Sequence, residues 1–363
     1  MSRPQYTEER LAQSLRELYS SFGYTQYKMS KFEEYDLYVR NKSFLLSDSV
    51  ITFTDTSGKL LALKPDVTLS IVKNEGNAEH GVRKLSYNES VYRVSERTGA
   101  FREISQTGLE CLGEIDGYHL SEVLFLAQGS LATISDDFVL DVSHMGLLSL
   151  AMDAVGVAEG DRAAVLEFLS QKNRHDLLSF LATKGIFEED ATPLTTLLST
   201  SGSPTAVLPA LSGVVAGEAW QKALDELFAI LSPLDLDRVR VDFSLIHDLS
   251  YYNGIVFGGF VAGVPECVLS GGQYDRLMER MGKRARAIGF AVYPDRLDAR
   301  ASLADCDVDT VVLYGDGNAP DAVLALIRKM AASGARVLAC RQLPTAISYR
   351  DVYDMTKEVS RNG

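Results

Sequence analysis

Residues 87–113 read YNESVYRVSERTGAFREISQTGLECLG and decide how the rest of the chain is interpreted. Polar and apolar residues alternate on both sides of a short connection at residues 95–99, which ends in glycine. This pattern predicts two long paired strands, one over about 84–94 and one over about 101–113. A long β-hairpin of this kind indicates an antiparallel sheet at the centre of the fold.

Four side chains on this predicted hairpin suggest a binding surface. Side chains two apart on a strand share a face, so Gln106, Gly108 and Glu110 point the same way, and Arg93 on the neighbouring strand can reach that face. A guanidinium, a carboxamide and a carboxylate around a bare glycine would suit a zwitterion such as an amino acid. Polar alternation is the ordinary pattern of an amphipathic strand with a solvated face, and the pattern alone favours that alternative.

The segments before the hairpin predict helix, hairpin and helix. Apolar residues at helical spacing between Leu11 and Phe22 predict a first helix, with Thr7 as its cap and Gly23 as its end. Residues 49–63 then predict a hairpin, and Pro65 is expected to lead into a short helix that runs through residue 72.

The segments after the hairpin predict a second half of the sheet, interrupted by helices. Residues 117–134 predict a helix, and residues 144–236 are rich in helical patterns and Ser, Thr, Gly and Pro loops. Further strands are predicted at 138–142, 239–243, 254–261, 266–269 and 288–292. Residues 310–314, 322–332 and 336–340 predict strand, helix and strand, followed by a polar tail. The sequence therefore predicts an α+β fold: a core at 1–143 and 237–300, a helical insert at 144–236 and a short α/β piece at 301–363.

Composition excludes several classes of function. The chain has 36 Lys and Arg against 49 Asp and Glu, a net charge of −13, which disfavours general binding to nucleic acid or to an anionic membrane surface. The four cysteines form no CxxC pair and the five histidines show no ligand spacing, so we expect no metal site and no disulfide scaffold. The segment SGGQYD at 270–275 matches neither a dinucleotide fingerprint nor a phosphate-binding loop, so no cofactor is expected.

Location follows from what the sequence lacks. Residues 1–10 are polar and show no apolar core of a signal peptide. Residues 191–217 contain no charged side chain and are long enough to cross a bilayer. Three prolines and many Ser and Thr residues nevertheless favour helix and loop in a globular domain. We therefore expect a cytoplasmic protein that does not associate with membranes.

Four segments, taken in order, resemble histidyl-tRNA synthetase and its paralogues over roughly residues 5–300. They are FTDTSGKLLALKPDVT at 53–68, the hairpin at 87–113, LSYYNGIVF at 249–257 and SGGQYDRLMERMGKRARAIGFAVYPDRL at 270–297. The resemblance implies the class II aminoacyl-tRNA synthetase fold, an antiparallel sheet flanked by helices. A helical insert also occurs in that family.

The resemblance also assigns expected roles to individual residues. Eight positions match the family's histidine-binding residues: Asp66, Thr68, Arg93, Gln106, Glu110, His247, Tyr251 and Tyr252. Two further positions, Arg102 and Arg296, match the family's ATP site and are interpreted as its remnant. An ammonium needs carboxylates, a carboxylate needs a guanidinium, and an imidazole needs a polar partner within an aromatic wall.

Several departures from the synthetase pattern indicate lost catalysis. The family reads RGLDYY where this chain has HDLSYY at 247–252, so His247 replaces an arginine expected beside the carboxylate. Ala100 and Gln273 also stand where the family places arginines, and Ser30 stands at a motif 1 proline. Adenylation needs positioned cations on the polyphosphate, and the loss of one such group costs about 3–4 kcal/mol of transition-state stabilisation. No catalytic residue is therefore expected.

These departures resemble a particular paralogous family, the regulatory subunits of short-form ATP phosphoribosyltransferase. That resemblance implies a non-catalytic role in histidine biosynthesis: activation of the short catalytic subunit within a hetero-octamer, feedback inhibition by bound L-histidine, and no tRNA binding. The region after residue 300 is expected to be truncated relative to an anticodon-binding domain. Two alternatives remain: a divergent histidyl-tRNA synthetase that activates histidine with ATP, and a stand-alone amino-acid sensor.

Overall fold

The computed structural model describes residues 4–40, 50–74, 81–95, 98–246, 252–297, 307–345 and 347–359. These residues belong to two compact units, Met1–Ala299 and Arg300–Gly363. The strands are β1 Thr25–Gln26, β2 Phe32–Glu34, β3 Thr52–Thr54, β4 Leu60–Leu63, β5 Val82–Val94, β6 Phe101–Gly113, β7 Phe138–His144, β8 Ser201–Gly202, β9 Val239–Asp242, β10 Ile255–Val261, β11 Leu269–Gln273, β12 Arg286–Val292, β13 Val308–Leu313, β14 Val337–Cys340 and β15 Tyr349–Asp354. The helices are α1 Pro4–Ser21, α2 Tyr35–Arg40, α3 Val67–Asn74, α4 Gly117–Ile134, α5 Met145–Val155, α6 Arg162–Ser170, α7 Arg174–Thr183, α8 Thr192–Ser199, α9 Pro204–Ala210, α10 Glu218–Leu231, α11 Asp275–Arg280, α12 Pro320–Ala332 and α13 Thr356–Val359.

The first unit is built on one large mixed sheet. Within the described residues it has nine strands in the order β1-β5-β6-β12-β11-β10-β7-β9-β8. The central neighbours are antiparallel, and the pairs β1–β5 and β7–β9 are parallel. The predicted hairpin is confirmed, since β5 and β6 pair along 13 residues each and Ser95 N donates to Ala100 O across the connection at 2.8 Å.

One face of this sheet is covered by α1 and α4. Leu15 and Leu109 are fully buried in their shared core, and Tyr19 Oη lies 2.9 Å from Ser130 Oγ between the two helices. The predicted end of α1 is confirmed: Gly23 adopts φ +83°, where L-residues are disfavoured. The predicted cap is wrong, because α1 already includes Thr7 within its helical span.

The opposite face carries α3, α11 and a small antiparallel sheet in the order β2-β4-β3. The predicted hairpin at 49–63 corresponds to β3 and β4. Helix α3 follows Pro65 as expected, and the carboxylate of Asp66 accepts a hydrogen bond from Leu69 N at 2.8 Å. Asp66 therefore caps α3 and fixes the entrance to the site described below.

Residues 144–236 contain the helices α5–α10, in agreement with their composition. Fully buried side chains of this segment, including Trp220, share one hydrophobic core with the main sheet, and Trp220 Nε1 donates to Leu211 O at 2.9 Å. Strand β8 lies within this segment and adds an edge to the sheet through β9, which the sequence did not indicate. The division of residues 1–300 into core and insert stays a prediction.

The uncharged stretch at 191–217 forms α8, β8 and α9. Among the described residues, no helix is both long and apolar enough to cross a membrane.

The predicted strand at 266–269 is wrong in its bounds. Strand β11 begins at Leu269 and ends at Gln273, so Gly271 and Gly272 lie inside it. The glycines serve close packing: a Cβ at residue 271 would overlap Gly289 O on the neighbouring strand and approach Phe257 to 2.7 Å. A turn and a crowded strand both favour glycine, and local sequence does not separate them.

The second unit is a small parallel sheet in the order β14-β13-β15, with α12 packed on one face. The predicted strand, helix and strand correspond to β13, α12 and β14. The predicted polar tail is wrong in part, because it contributes β15, which pairs with β13 along Val308–Leu313. Polar residues on both sides of Val352 and Tyr353 made this segment look like a polar tail, so its strand was not recognised from the sequence.

Candidate functional site

The Glu110 carboxyl lies at the centre of the candidate site. Glu110 projects from β6 on the face opposite to α1 and α4, and its residue is 2% exposed. Its Oε1 accepts a hydrogen bond from Thr68 Oγ1 at 2.7 Å, and its Oε2 accepts one from Tyr274 Oη at 2.5 Å. Burial raises the pKa of Glu110 to about 8, although the two hydroxyl donors act in the opposite direction.

Two glycines on neighbouring strands leave room on the sheet surface for side chains of the site. Gly289 on β12 pairs with Glu110, and a Cβ there would overlap Oε2 of that carboxyl. Gly272 on β11 pairs with Gly289, and a Cβ there would approach the Tyr252 ring to 2.6 Å. The carboxyl and the aromatic ring therefore occupy space that side chains would otherwise fill.

Gly108 does not leave the open space that the sequence suggested. Its register partner is Tyr87 on β5, and a Cβ at residue 108 would lie 2.6 Å from Tyr87 Oη. Tyr87 also donates to Phe290 O at 3.3 Å. The Tyr87 phenol covers Gly108 and forms the floor of the site at this point. A ligand would therefore contact the phenol and not the backbone of the strand.

Arg93 and Asp66 meet at one side of this floor. Arg93 shares the face of Glu110, as alternation predicts, and its Nε donates to Pro65 O at 3.0 Å. Burial raises the pKa of Asp66, while the charge of Arg93 lowers it. The structure thus brings Asp66, Thr68, Arg93 and Glu110 to the junction of α3 with the hairpin.

Gln106 lies on the same face of β6 and is 5% exposed. Its register partner is Glu89, which forms an ion pair with the fully buried Lys64 at 2.9 Å. Burial lowers the pKa of Lys64, and the Glu89 carboxylate opposes that effect. The pair anchors the segment before α3 against the hairpin.

The two arginines expected from the ATP site have different surroundings. Arg102 stands directly opposite Arg93 in the register of β5 and β6, and it is exposed. Arg296 stacks on Tyr293 at 4.3 Å, donates to Cys267 O and lies 3.4 Å from Glu266. Arg296 therefore already has protein partners.

Gln273 does not belong to this pocket. Its register partner Ile288 belongs to the core on the α1 and α4 face, so Gln273 points away from Glu110. The Gln273 side chain donates to Asp275 at 2.6 Å. The arginine that the synthetase pattern has here is therefore not evidence for a lost cation on the Glu110 face, and that part of the prediction is wrong.

Two expected site residues, His247 and Tyr251, lie outside the described residues, and Tyr252 is the described member of the aromatic pair. The sequence analysis missed Tyr274, Gly289 and Tyr87. Tyr274 stands in the quoted segment at 270–275, but its contact with Glu110 depends on pairing between distant strands. The described residues contain no group of His, Cys, Asp or Glu side chains arranged to hold a metal ion.

Comparison with known proteins gives one family. The family model for histidyl-tRNA synthetase matches residues 4–297. The ATP phosphoribosyltransferase regulatory subunit of Caldanaerobacter subterraneus subsp. tengcongensis is 31% identical over 289 residues, which is 78% of this chain and 75% of the relative. The subunit of the same name from Oceanobacillus iheyensis is 26% identical over 88% of this chain and 80% of the relative.

A solved structure supports the same assignment. The ATP phosphoribosyltransferase regulatory subunit/histidyl-tRNA synthetase from Bacillus halodurans C is 25% identical, covers 98% of this chain and 95% of its own, and superposes with a TM-score of 0.77. The class II synthetase fold implied by the resemblance is thereby confirmed. The chain belongs to the histidyl-tRNA synthetase family and, within it, to the ATP phosphoribosyltransferase regulatory subunits.

Proposed function

We propose that this chain activates the short catalytic subunit of ATP phosphoribosyltransferase and makes it sensitive to inhibition by histidine. The observation that carries the proposal is the 31% identity to a regulatory subunit over three quarters of that relative's length. The chain itself performs no chemistry in this proposal. Its site is a binding pocket retained from a synthetase-like ancestor.

The pocket chemistry fits L-histidine. The Arg93 guanidinium would bind the ligand carboxylate, and Asp66 would bind its ammonium group. Glu110, held by Thr68 and Tyr274, would meet the imidazole, since the neighbouring Tyr252 ring supplies a flat wall. We place Gln106, His247 and Tyr251 in the same pocket on the strength of the motif match.

The opposite end of the face supports the absence of catalysis. Ala100 lies at the exposed end of the hairpin, where the synthetase pattern has an arginine. In the sequence, His247 stands where that pattern has a second arginine, expected beside the ligand carboxylate. Each lost cation on the polyphosphate would cost about 3–4 kcal/mol, or a factor of about 10² to 10³ in rate. Two such losses would slow adenylation far more than they weaken histidine binding, since Asp66, Thr68, Arg93 and Glu110 remain.

The partner that fits this function is a short catalytic subunit, assembled with this chain as a hetero-octamer in the cytoplasm, with no role for tRNA. Histidine can inhibit such an assembly only if it binds two states of the assembly with different affinity. The effector pocket and the partner surface would then be coupled in both directions.

The test is formation of phosphoribosyl-ATP by a matching short catalytic subunit, with and without this chain, during a titration with histidine. We expect stimulation by the chain and a loss of rate as histidine is added. The matched variant Glu110→Gln should still stimulate, but its inhibition should require more histidine. No stimulation of a competent catalytic subunit would contradict the proposal.

The family model keeps a second function under consideration, because it describes histidyl-tRNA synthetase itself. A divergent synthetase would catalyse histidine-dependent exchange between ATP and pyrophosphate. That assay separates the two functions, since a regulatory subunit would show histidine binding without exchange.

A further inference from the structure

An amide and a carboxylate join the two chain segments that carry tyrosines of the candidate site. Asn253 follows Tyr252 before β10. Asp275 follows Tyr274 and begins α11. Asn253 Nδ2 donates to Asp275 Oδ2 at 3.3 Å, and Asp275 N donates back to Asn253 Oδ1 at 2.9 Å. The two residues are 22 positions apart in the chain, so the pair is a tertiary contact and not a local turn.

The end of strand β11 supports the same junction. Asn253 N donates to Gln273 O at 3.1 Å, which fixes the segment before β10 to the end of β11. The Gln273 side chain lies against Gly254, where a Cβ would overlap Gln273 Oε1. Its Nε2 donates to the Asp275 carboxylate at 2.6 Å. Gln273 therefore contributes to this junction, although its side chain points away from Glu110.

The Asp275 carboxylate is bonded through both of its oxygens. Its Oδ1 accepts a hydrogen bond from Ala287 N on β12 at 2.9 Å, and its Oδ2 lies 3.4 Å from Arg286 Nε. The Asp275 side chain is 14% exposed. Because neighbouring strands set its position, the carboxylate provides a fixed acceptor for Asn253.

Asn253 is connected directly to the aromatic wall of the site. The adjacent Tyr252 ring lies over Gly272 on β11, where a Cβ would approach the ring to 2.6 Å. A displacement of Asn253 would move the Tyr252 backbone and shift the ring from this place. Tyr274 has an anchor of its own, since its N donates to Ala287 O at 2.9 Å. The effect of the pair is therefore expected at Tyr252.

We infer that Asn253 is a positioning residue for the ligand ring: its pairing with Asp275 holds the Tyr252 ring against the sheet, where it forms one wall of the pocket. The inference rests on the proposed function, since it concerns the same pocket and ligand. Asn253 acts through Tyr252 and not by contact with the ligand. A wall that is fixed before binding need not be ordered by the ligand, and this preorganisation increases affinity.

The experiment exchanges the amide and the carboxylate and measures the affinity of the full chain for histidine by calorimetric titration. Asn253→Asp places two carboxylates against each other. Asp275→Asn leaves an N–H group facing another donor whichever way the new amide is turned, because Ala287 N lies on one side and Asn253 Nδ2 on the other. We expect each single substitution to weaken histidine binding about tenfold.

The variant that carries both substitutions restores a donor and an acceptor at the junction. We expect its histidine affinity to lie within about threefold of that of the parent chain. Thermal unfolding shows whether each variant folds, and where a single variant does not fold, the double variant alone decides. A folded double variant that binds histidine as weakly as the single variants, or about tenfold more weakly than the parent chain, would overturn the inference.

A second measurement separates positioning from a general loss of stability. Asn253→Ala removes both side-chain hydrogen bonds of the pair. We expect it to weaken histidine binding about tenfold in the parent chain but less than about twofold in a Tyr252→Ala background. Equal losses in the two backgrounds would show that Asn253 does not act through Tyr252, and would overturn the inference.

The matched control is Asn173→Asp at the start of α7. Asn173 Nδ2 donates to Asp176 Oδ2 at 2.7 Å, and Asp176 N donates to Asn173 Oδ1 at 3.2 Å, so this pair has the same two hydrogen bonds. Its histidine affinity should equal that of the parent chain. If the parent chain gave no saturable histidine binding, the proposed function would fail, and the inference with it. Saturable binding that no substitution at Asn253 or Asp275 weakens would overturn the inference alone.

Discussion

The two ends of one face of strand β6 differ in how far their side chains are buried and hydrogen-bonded. At the Glu110 end, the carboxyl is 2% exposed and receives two hydrogen bonds from α3 and from the β11–α11 junction. At the Arg102 end, the side chain is exposed and stands opposite another arginine. Eight residues separate Arg102 from Glu110 along β6, a distance of about 27 Å.

Under the proposed function, recognition of histidine and its activation would depend on separate parts of this surface. The buried end is fixed by three strands and a helix, so its geometry exists before any ligand arrives. The hairpin end depends on side chains that are exposed or already bonded, such as Arg296 with Cys267 O. Under the proposed function, this chain would therefore bind histidine without catalysing adenylation.

The largest effect is expected from Gly289→Ala. The new Cβ would overlap Glu110 Oε2 and lie 2.5 Å from Leu109 O, so the carboxyl must leave its place. We expect the affinity for histidine to fall about 100-fold and the free energy of unfolding to fall by about 1–3 kcal/mol. Calorimetric titration and thermal unfolding measure the two effects.

Gly117→Ala is the matched control, since a Cβ at that position meets nothing within 4 Å. Its histidine affinity should equal that of the parent chain. Equal affinity in the Gly289→Ala variant would show that histidine does not bind at the Glu110 end.

A smaller effect is expected from Glu110→Ala. The substitution removes a charge-assisted contact with the ligand, and we expect a loss of about tenfold in histidine affinity. Equilibrium dialysis with labelled histidine measures it. An unchanged dissociation constant would place the effector elsewhere on the chain.

Arg93 and Arg102 provide a direct comparison of the two strands at the hairpin. Arg93→Gln should weaken histidine binding about fivefold, because the guanidinium near Asp66 would no longer bind the ligand carboxylate. Arg102→Gln should change the affinity less than twofold. Equal losses in the two variants would show that the contacts of Arg93 with Pro65 O and Asp66 do not give it a role that Arg102 lacks.

The pH dependence of the free energy of unfolding should also show the titration of Glu110. Its folded pKa of about 8 lies above the unfolded value of about 4.5, so the folded form binds more protons between these pH values. The stabilising contribution of protonated Glu110 is therefore complete below about pH 4.5 and is lost as the pH rises to about 8. In thermal unfolding, Glu110→Gln should gain stability relative to the parent as the pH rises from 5 to about 8.5, and a constant difference would argue that the acid is not buried.

The smallest effect is expected when an arginine is restored at the histidine signature. His247→Arg should produce no exchange between ATP and pyrophosphate, because Ala100 remains without charge at the hairpin. Exchange activity in this single variant would show that the nucleotide end is much closer to catalysis than the comparison indicates.

The sequence predicted the elements whose signals are local. The alternation at 87–113 was sufficient to place both strands of the hairpin and to put Arg93, Gln106 and Glu110 on one face. The sequence could not place Tyr87 above Gly108, because that contact depends on the register between two strands. The predicted strand at 266–269 ended before Gly271 and Gly272, although both glycines lie inside β11, where packing between strands requires them.

The contacts that complete the site are not local. Tyr274 reaches Glu110 across 164 positions of the chain, and Gly289 gives it space from a third strand. Neither residue has a distinctive neighbour in sequence, so only the strand order β6-β12-β11 brings them together. The sequence predicted the residues of the motif match. The residues that support them, Tyr274 and Gly289, could be identified only from the fold.

The most direct test of the central claim is histidine-dependent exchange between ATP and pyrophosphate, measured with the full chain at a histidine concentration shown to saturate its pocket. Histidine binding without exchange above the protein-free background is the expected result. The Glu110 end of the face is buried and hydrogen-bonded, whereas the Arg102 end is exposed. Exchange that depends on histidine and saturates with it would contradict the account and identify the chain as an active synthetase.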